Sequence, residues 1–124
     1  MLRPRPGRRT ERGAATAELA MALPLLIVVT IGLVWLLAVG AAQVRVVDAA
    51  RETARAAARG DSTAEAVARG QRVAPDGSRV SVDNGGGEVT AVVVGRVSGP
   101  GGLFSRLPSV SVSAEAIAVA EESG

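Results

Sequence analysis

Between Leu19 and Val44 the chain runs 26 residues without a charged side chain. Wound as an α-helix, such a segment is about 39 Å long, against roughly 30 Å for the hydrocarbon core of a bilayer. It is long enough to span a membrane, and this limits what the rest of the chain can build. Residues 45–124 leave roughly 80 of the 124 residues for a globular unit, near the lower limit for a core that stands alone. Past Val44 there are fourteen Val but only two Leu, one Ile and one Phe, and the single Trp, Trp35, lies inside the apolar run. A core of Val and Ala is expected to be marginal, and packing against partners would stabilise it.

The charge is unevenly placed. Residues 1–13 carry Arg3, Arg5, Arg8, Arg9 and Arg12 against Glu11, a net of +4. Residues 14–44 carry only Glu18, and residues 45–124 carry nine Arg against ten acids, a net of −1. The sequence pI near 10.9 therefore reflects the tail, and the folded part has no basic footprint for nucleic acid. An arginine-rich flank is retained in the cytoplasm, so the N-terminus is expected inside and residues 45–124 outside. A cleaved secretory signal is the competing interpretation, since Ala38-Val39-Gly40-Ala41-Ala42 offers small residues. Its apolar stretch is normally only about 7–15 residues long, however. Arg8-Arg9 resembles a twin-arginine signal, but Thr10-Glu11-Arg12 lacks the apolar character that should follow.

The entrance to the apolar run, Arg12-Gly13-Ala14-Ala15-Thr16-Ala17-Glu18, holds a glycine on the basic side and one acid on the apolar side. A carboxylate at the mouth of a membrane segment is costly and calls for a partner. Considered alone, Glu18 is also an ordinary acid for the first turn of a helix, where the macrodipole favours it. Pro24 is expected to kink the helix by removing a backbone donor. Gly32 and Gly40 are eight residues apart and do not form a close-packing motif.

Gly13 followed five residues later by Glu18, at this boundary, resembles the processing site of a type IV prepilin. More closely, RGAATAELAMALPLL resembles the N-terminus of the TadE-like minor pilins, or pseudopilins, of tight-adherence (Tad, or Flp) pili. The matching elements are Arg12-Gly13, the Ala-rich start Ala14-Ala15-Thr16-Ala17, Glu18, and Leu23-Pro24-Leu25-Leu26, and the likeness extends over about residues 8–60. The family often has an aromatic directly after the glutamate, where this chain has Leu19.

The resemblance implies cutting by a membrane-embedded prepilin peptidase between Gly13 and Ala14, in a confined site that accepts a residue without a side chain. Glu18 would become the fifth mature residue, and its carboxylate would pair with the free α-amino group of a neighbouring subunit. Residues 1–13 are then a leader, 14–44 a transmembrane helix, 45–74 extracytoplasmic helices and 75–124 a small sheet region. The implied partners are the peptidase, other pilin subunits, a Tad-type assembly platform and the membrane. The implied location is the cell membrane, single-pass, or the pilus and cell surface. The alternative is an uncleaved single-pass membrane protein with a small outer domain that binds a partner.

Outside the membrane, VRVVDAARETARAAARG (44–60) continues in good helix formers. Arg45, Asp48, Glu52, Arg55 and Arg59 recur at spacings of three and four as one solvated stripe, with Glu52 placed to pair with Arg55. Val46, Val47, Ala50, Ala54 and Ala57 fall mostly away from it. Gly60 suits a C-terminal cap, and Asp61 to Glu65 open a second helix to about Val73. SRVSVD and EVTAVVVGRV form a hairpin around Asn84-Gly85-Gly86-Gly87, and SVSVSAEAIAVA (109–120) is a third strand. The fold class is α+β and pilin-like: a long N-terminal helix, a short helix and a three-stranded antiparallel sheet. Leu103-Phe104, in the loop 98–108, is an apolar pair expected either to tuck onto the small sheet or to contact a partner.

The sequence offers little for chemistry. It contains no His and no Cys, so metal sites and nucleophile–histidine pairs built on them are excluded. Gly85-Gly86-Gly87 lacks the strand–glycine–helix order and the Lys of a phosphate cradle. No enzyme activity, cofactor, nucleic acid or small-molecule substrate is expected.

Overall fold

The computed structural model describes residues 7–99 and 108–121, with side chains from Thr10 onward. Contacts divide the chain into two units, residues 1–34 and 35–124. Helix α1 (Gly7–Ala58) is 52 residues long and continues through Pro24. Among the described residues it is the one helix long and apolar enough to cross a membrane.

In the first unit the helix stands alone. Leu19, Met21, Leu23, Leu25, Leu26 and Ile27 are all exposed. A continuous apolar surface of this kind suits contact with lipid or with another protein. The hydroxyls of Thr16 and Thr30 donate to the carbonyls of Arg12 and Leu26 four residues back, so neither needs water.

The second unit is the α+β fold expected from the sequence. It holds the end of α1, helix α2 (Thr63–Val73), and strands β1 (Arg79–Gly85), β2 (Glu88–Val97) and β3 (Val110–Val119). The strands lie in chain order, all antiparallel, with β2 in the centre. The hairpin turn is tighter than the sequence suggests. Asn84 and Gly85 belong to β1, with Gly85 opposite Glu88. Only Gly86 and Gly87 form the turn, at φ 63° and 81°. Positive φ at both central residues is the type I′ turn whose twist matches the strands.

Both helix boundaries inside this unit are capped. At the end of α1 the Asp61 N–H bonds the Ala56 carbonyl and the Gly60 N–H bonds that of Ala57, each at 3.1 Å, with Gly60 at φ 99°. That is a Schellman motif. Helix α2 starts in a capping box, the Ser62 hydroxyl accepting from the Glu65 N–H and the Glu65 carboxylate from the Ser62 N–H. Ser62→Ala is expected to cost about 1 kcal/mol, measurable as a lower denaturation midpoint, with Ser62→Asp close to wild type.

The core is built from small side chains. Val46, Ala49, Ala50, Ala74, Val80, Val93 and Val112 bring α1 onto one face of the sheet. Along β2 the residues Val89, Ala91, Val93 and Gly95 point inward and are buried. Gly95 lies beneath Val46, which lets helix and strand approach closely. The charged stripe of α1 is exposed as expected, apart from a half-buried Glu52. Glu52 does not pair with Arg55. It faces Arg69 of α2 at 3.9 Å, and Arg69 Nε sits 3.2 Å from Asp61 Oδ2. These half-exposed ion pairs contribute at most about 1 kcal/mol, so α2 is held mainly by packing.

Candidate functional site

The junction singled out in the sequence lies inside α1. Arg12, Gly13, Ala14 and Glu18 are helical and exposed. A Cβ on Gly13 would meet nothing within 4 Å, and no turn or close approach requires a glycine there. Glycine costs about 1 kcal/mol in a helix interior relative to alanine, so its advantage lies outside the isolated chain. At the Gly13–Ala14 bond a glycine makes the helix easier to unwind. Thr16 Oγ1 donates to the Arg12 carbonyl at 2.8 Å, directly across that bond.

Glu18 is four residues past Ala14 and therefore one turn above it on the same face of the helix. No cation pairs with it among the described residues. Its neighbours in sequence, Leu19 and Met21, are exposed apolar side chains. The carboxylate thus stands at the edge of an apolar surface, where leaving it unpaired in lipid or in a subunit interface is costly. Pro24 lies six residues further along the helix, and its missing N–H leaves the Ala20 carbonyl without its helical donor. Leu103 and Phe104 lie outside the described residues.

Gly86 and Gly87 serve the hairpin. Among the described residues no three acids converge to hold a metal ion. The sequence did not reveal a groove in the second unit, where Arg51, Arg55 and Arg59 of α1 face the outer edge of β3. Its helical half was visible as the charged stripe, but the strand that faces it was not.

Residues 13–55 match the family model described as TadE-like protein. No curated protein and no solved structure matches the chain.

Proposed function

We propose, from the premise that this chain belongs through residues 13–55 to the TadE-like family, that it is a minor pilin-like subunit processed by a prepilin peptidase for a Tad-type pilus or a related secretion machine. The observation that carries the proposal is where the match begins. It starts at Gly13, the residue after which the basic tail would be removed. The leader, residues 1–13, holds a net +4, which retains it on the cytoplasmic side. Residues 14–44 span the membrane, and residues 45–74 and 75–124 form the outer helices and sheet.

Cleavage converts the Ala14 nitrogen from an amide into a cationic amine. The mature chain carries −1 from Glu18 and −1 from residues 45–124, a net of −2. The new amine of one subunit then meets the Glu18 carboxylate of the next, so a subunit is accepted only at the axial stagger that pairs them. The family is a pilus-associated one. Partners in this reading are the peptidase, sister subunits and the assembly platform.

N-terminal sequencing of the membrane-extracted protein, from cells that contain a prepilin peptidase, tests the proposal. A chain starting at Ala14 is the expected result. An intact Met1 or Leu2 start overturns processing, and a start near Gln43 assigns the segment to ordinary secretion.

A further inference from the structure

The groove between α1 and β3 has a built shape. Gln43 Nε2 donates to the Ser113 carbonyl at 3.1 Å, and the Glu121 N–H donates to the Ala58 carbonyl at 2.9 Å. These two ties fix helix and strand side by side over about 22 Å of helix and about 26 Å of strand. Both lie on the side of β3 that faces away from β2. The N–H of Ala120 points the other way, to the Gly87 carbonyl. Because a strand alternates its hydrogen-bonding direction, the N–H and C=O groups of Glu115, Ile117 and Val119 also face outward. Among the described residues they have no backbone partner.

Across from this edge stand Arg51, Arg55 and Arg59, all exposed. None is in an ion pair among the described residues. With Ala54 and Ala58 and the facing residues of β3, they line an open groove of about 450 Å³. Glu121, at one end of the groove, leaves the lining net positive. Like charges four apart on a helix repel one another, so an anionic occupant would relieve the row. The spacing also fits a strand. Arginines four residues apart on a helix are about 6 Å apart along its axis. Alternate side chains of a strand are separated by about 6.6 Å.

We propose that this groove docks an extended segment of a different protein, with acids at alternate positions, which adds to β3 as a fourth strand. Backbone hydrogen bonds to Glu115, Ile117 and Val119 supply the pairing, and carboxylates on Arg51, Arg55 and Arg59 set the specificity. A second copy of this chain is a poor occupant. Its sequence has no two acids at positions i and i+2, and β3 itself carries only Glu115. The inference does not depend on processing at Gly13 or on Glu18.

The test uses the full-length protein in lipid nanodiscs and a fluorescent eight-residue peptide alternating Asp and Val, compared with its Lys–Val counterpart. The Asp–Val peptide is expected to bind at least about tenfold more tightly and to slow amide exchange at Ile117 and Val119 by a similar factor. Ile117→Pro removes one outward donor at an edge position where proline is tolerated, and is expected to weaken binding about fivefold or more. The triple variant Arg51→Glu, Arg55→Glu, Arg59→Glu lies on an exposed helix face and is expected to reverse the preference toward Lys–Val. It decides the matter even where the proline variant does not fold. Equal binding of both peptides overturns the proposal. So does binding without protection of the Ile117 and Val119 amides, which is charge attraction alone. Protection of those amides without peptide, rising with protein concentration, assigns the edge to a second copy and also overturns it.

Discussion

Replacing Gly70 with alanine is expected to lower the melting temperature of the folded unit by roughly 5–15 °C, although alanine is the better helix former by about 1 kcal/mol. Gly70 is buried in the middle of α2. A Cβ there would overlap Thr53 Oγ1, stand 3.2 Å from Val80 Cγ1 and 3.4 Å from the Ala49 carbonyl. Thr53 has nowhere to go. It is fully buried, β-branched and therefore stiff at χ1, and its hydroxyl is bonded to the Ala49 carbonyl at 2.7 Å. Overpacking of this kind costs typically about 1–3 kcal/mol, which exceeds the propensity gain. Thermal unfolding followed by far-UV circular dichroism reads the result. Combining Gly70→Ala with Thr53→Ala removes the overlapping oxygen, so the pair should be less destabilising than the sum of its single changes by at least about 1 kcal/mol. A rise in melting temperature for Gly70→Ala alone would mean that α1, α2 and β1 do not meet there as closely as described.

The second large effect concerns assembly. Glu18→Ala is expected to leave the fraction of chain beginning at Ala14 unchanged and to reduce incorporation into sheared pili by a factor of roughly 100 or more. Removing one partner of a buried ion pair costs about 3–5 kcal/mol, because the other charge is left uncompensated. That is roughly two to three and a half decades in an equilibrium. The folded unit should not be affected, since Glu18 belongs to the first unit, residues 1–34. Glu18→Gln separates charge from shape: it keeps the size and a hydrogen-bonding oxygen, and should fail nearly as badly. The readout is the ratio of protein in the sheared fraction to that in the membrane. Normal incorporation of Glu18→Ala would remove the pairing role and leave the family assignment intact.

Much of the architecture was legible because its signals are local. Hydropathy marked the long helix, Gly60 its end, and the two alternating segments after Pro75 the hairpin. Where the sequence misled, long-range contacts decided. All four residues of Asn84-Gly85-Gly86-Gly87 look like turn formers, yet the register carries Asn84 and Gly85 in the ladder. A glycine lacks the side chain whose alternation would have revealed this. Glu52 had a suitable arginine three residues away and faces Arg69 instead, because α2 folds back beside it. The apolar face of α1 was read as Val46, Val47, Ala50, Ala54 and Ala57. Val47 and Ala57 are only half-buried, while Ala42, Ala49, Thr53, Ala56 and Ala58 complete the buried set of the helix. Alanine is buried and exposed with nearly equal ease, so an alanine-rich helix states its inner face weakly. Gly70 gave no sign of its tight site, since a glycine in a helix is as easily a tolerated defect. For Gly13 and Glu18 the proposed roles involve other molecules, so the isolated helix carries no mark of them.

A sheet whose spatial order repeats its chain order also has a kinetic meaning. The β1–β2 hairpin closes through two residues and can form early, whereas Gln43 must find Ser113 across a separation of 70 residues. Local contacts form fast and distant ones slowly, so helices and hairpin exist before α1 has a complete floor. The part of the core contributed by Val112, and both ties between α1 and β3, await the last strand. A chain cut short before Val110 would therefore retain most of its secondary structure while lacking a closed core, which makes proteolytic sensitivity a sharper measure of its completeness than helical content.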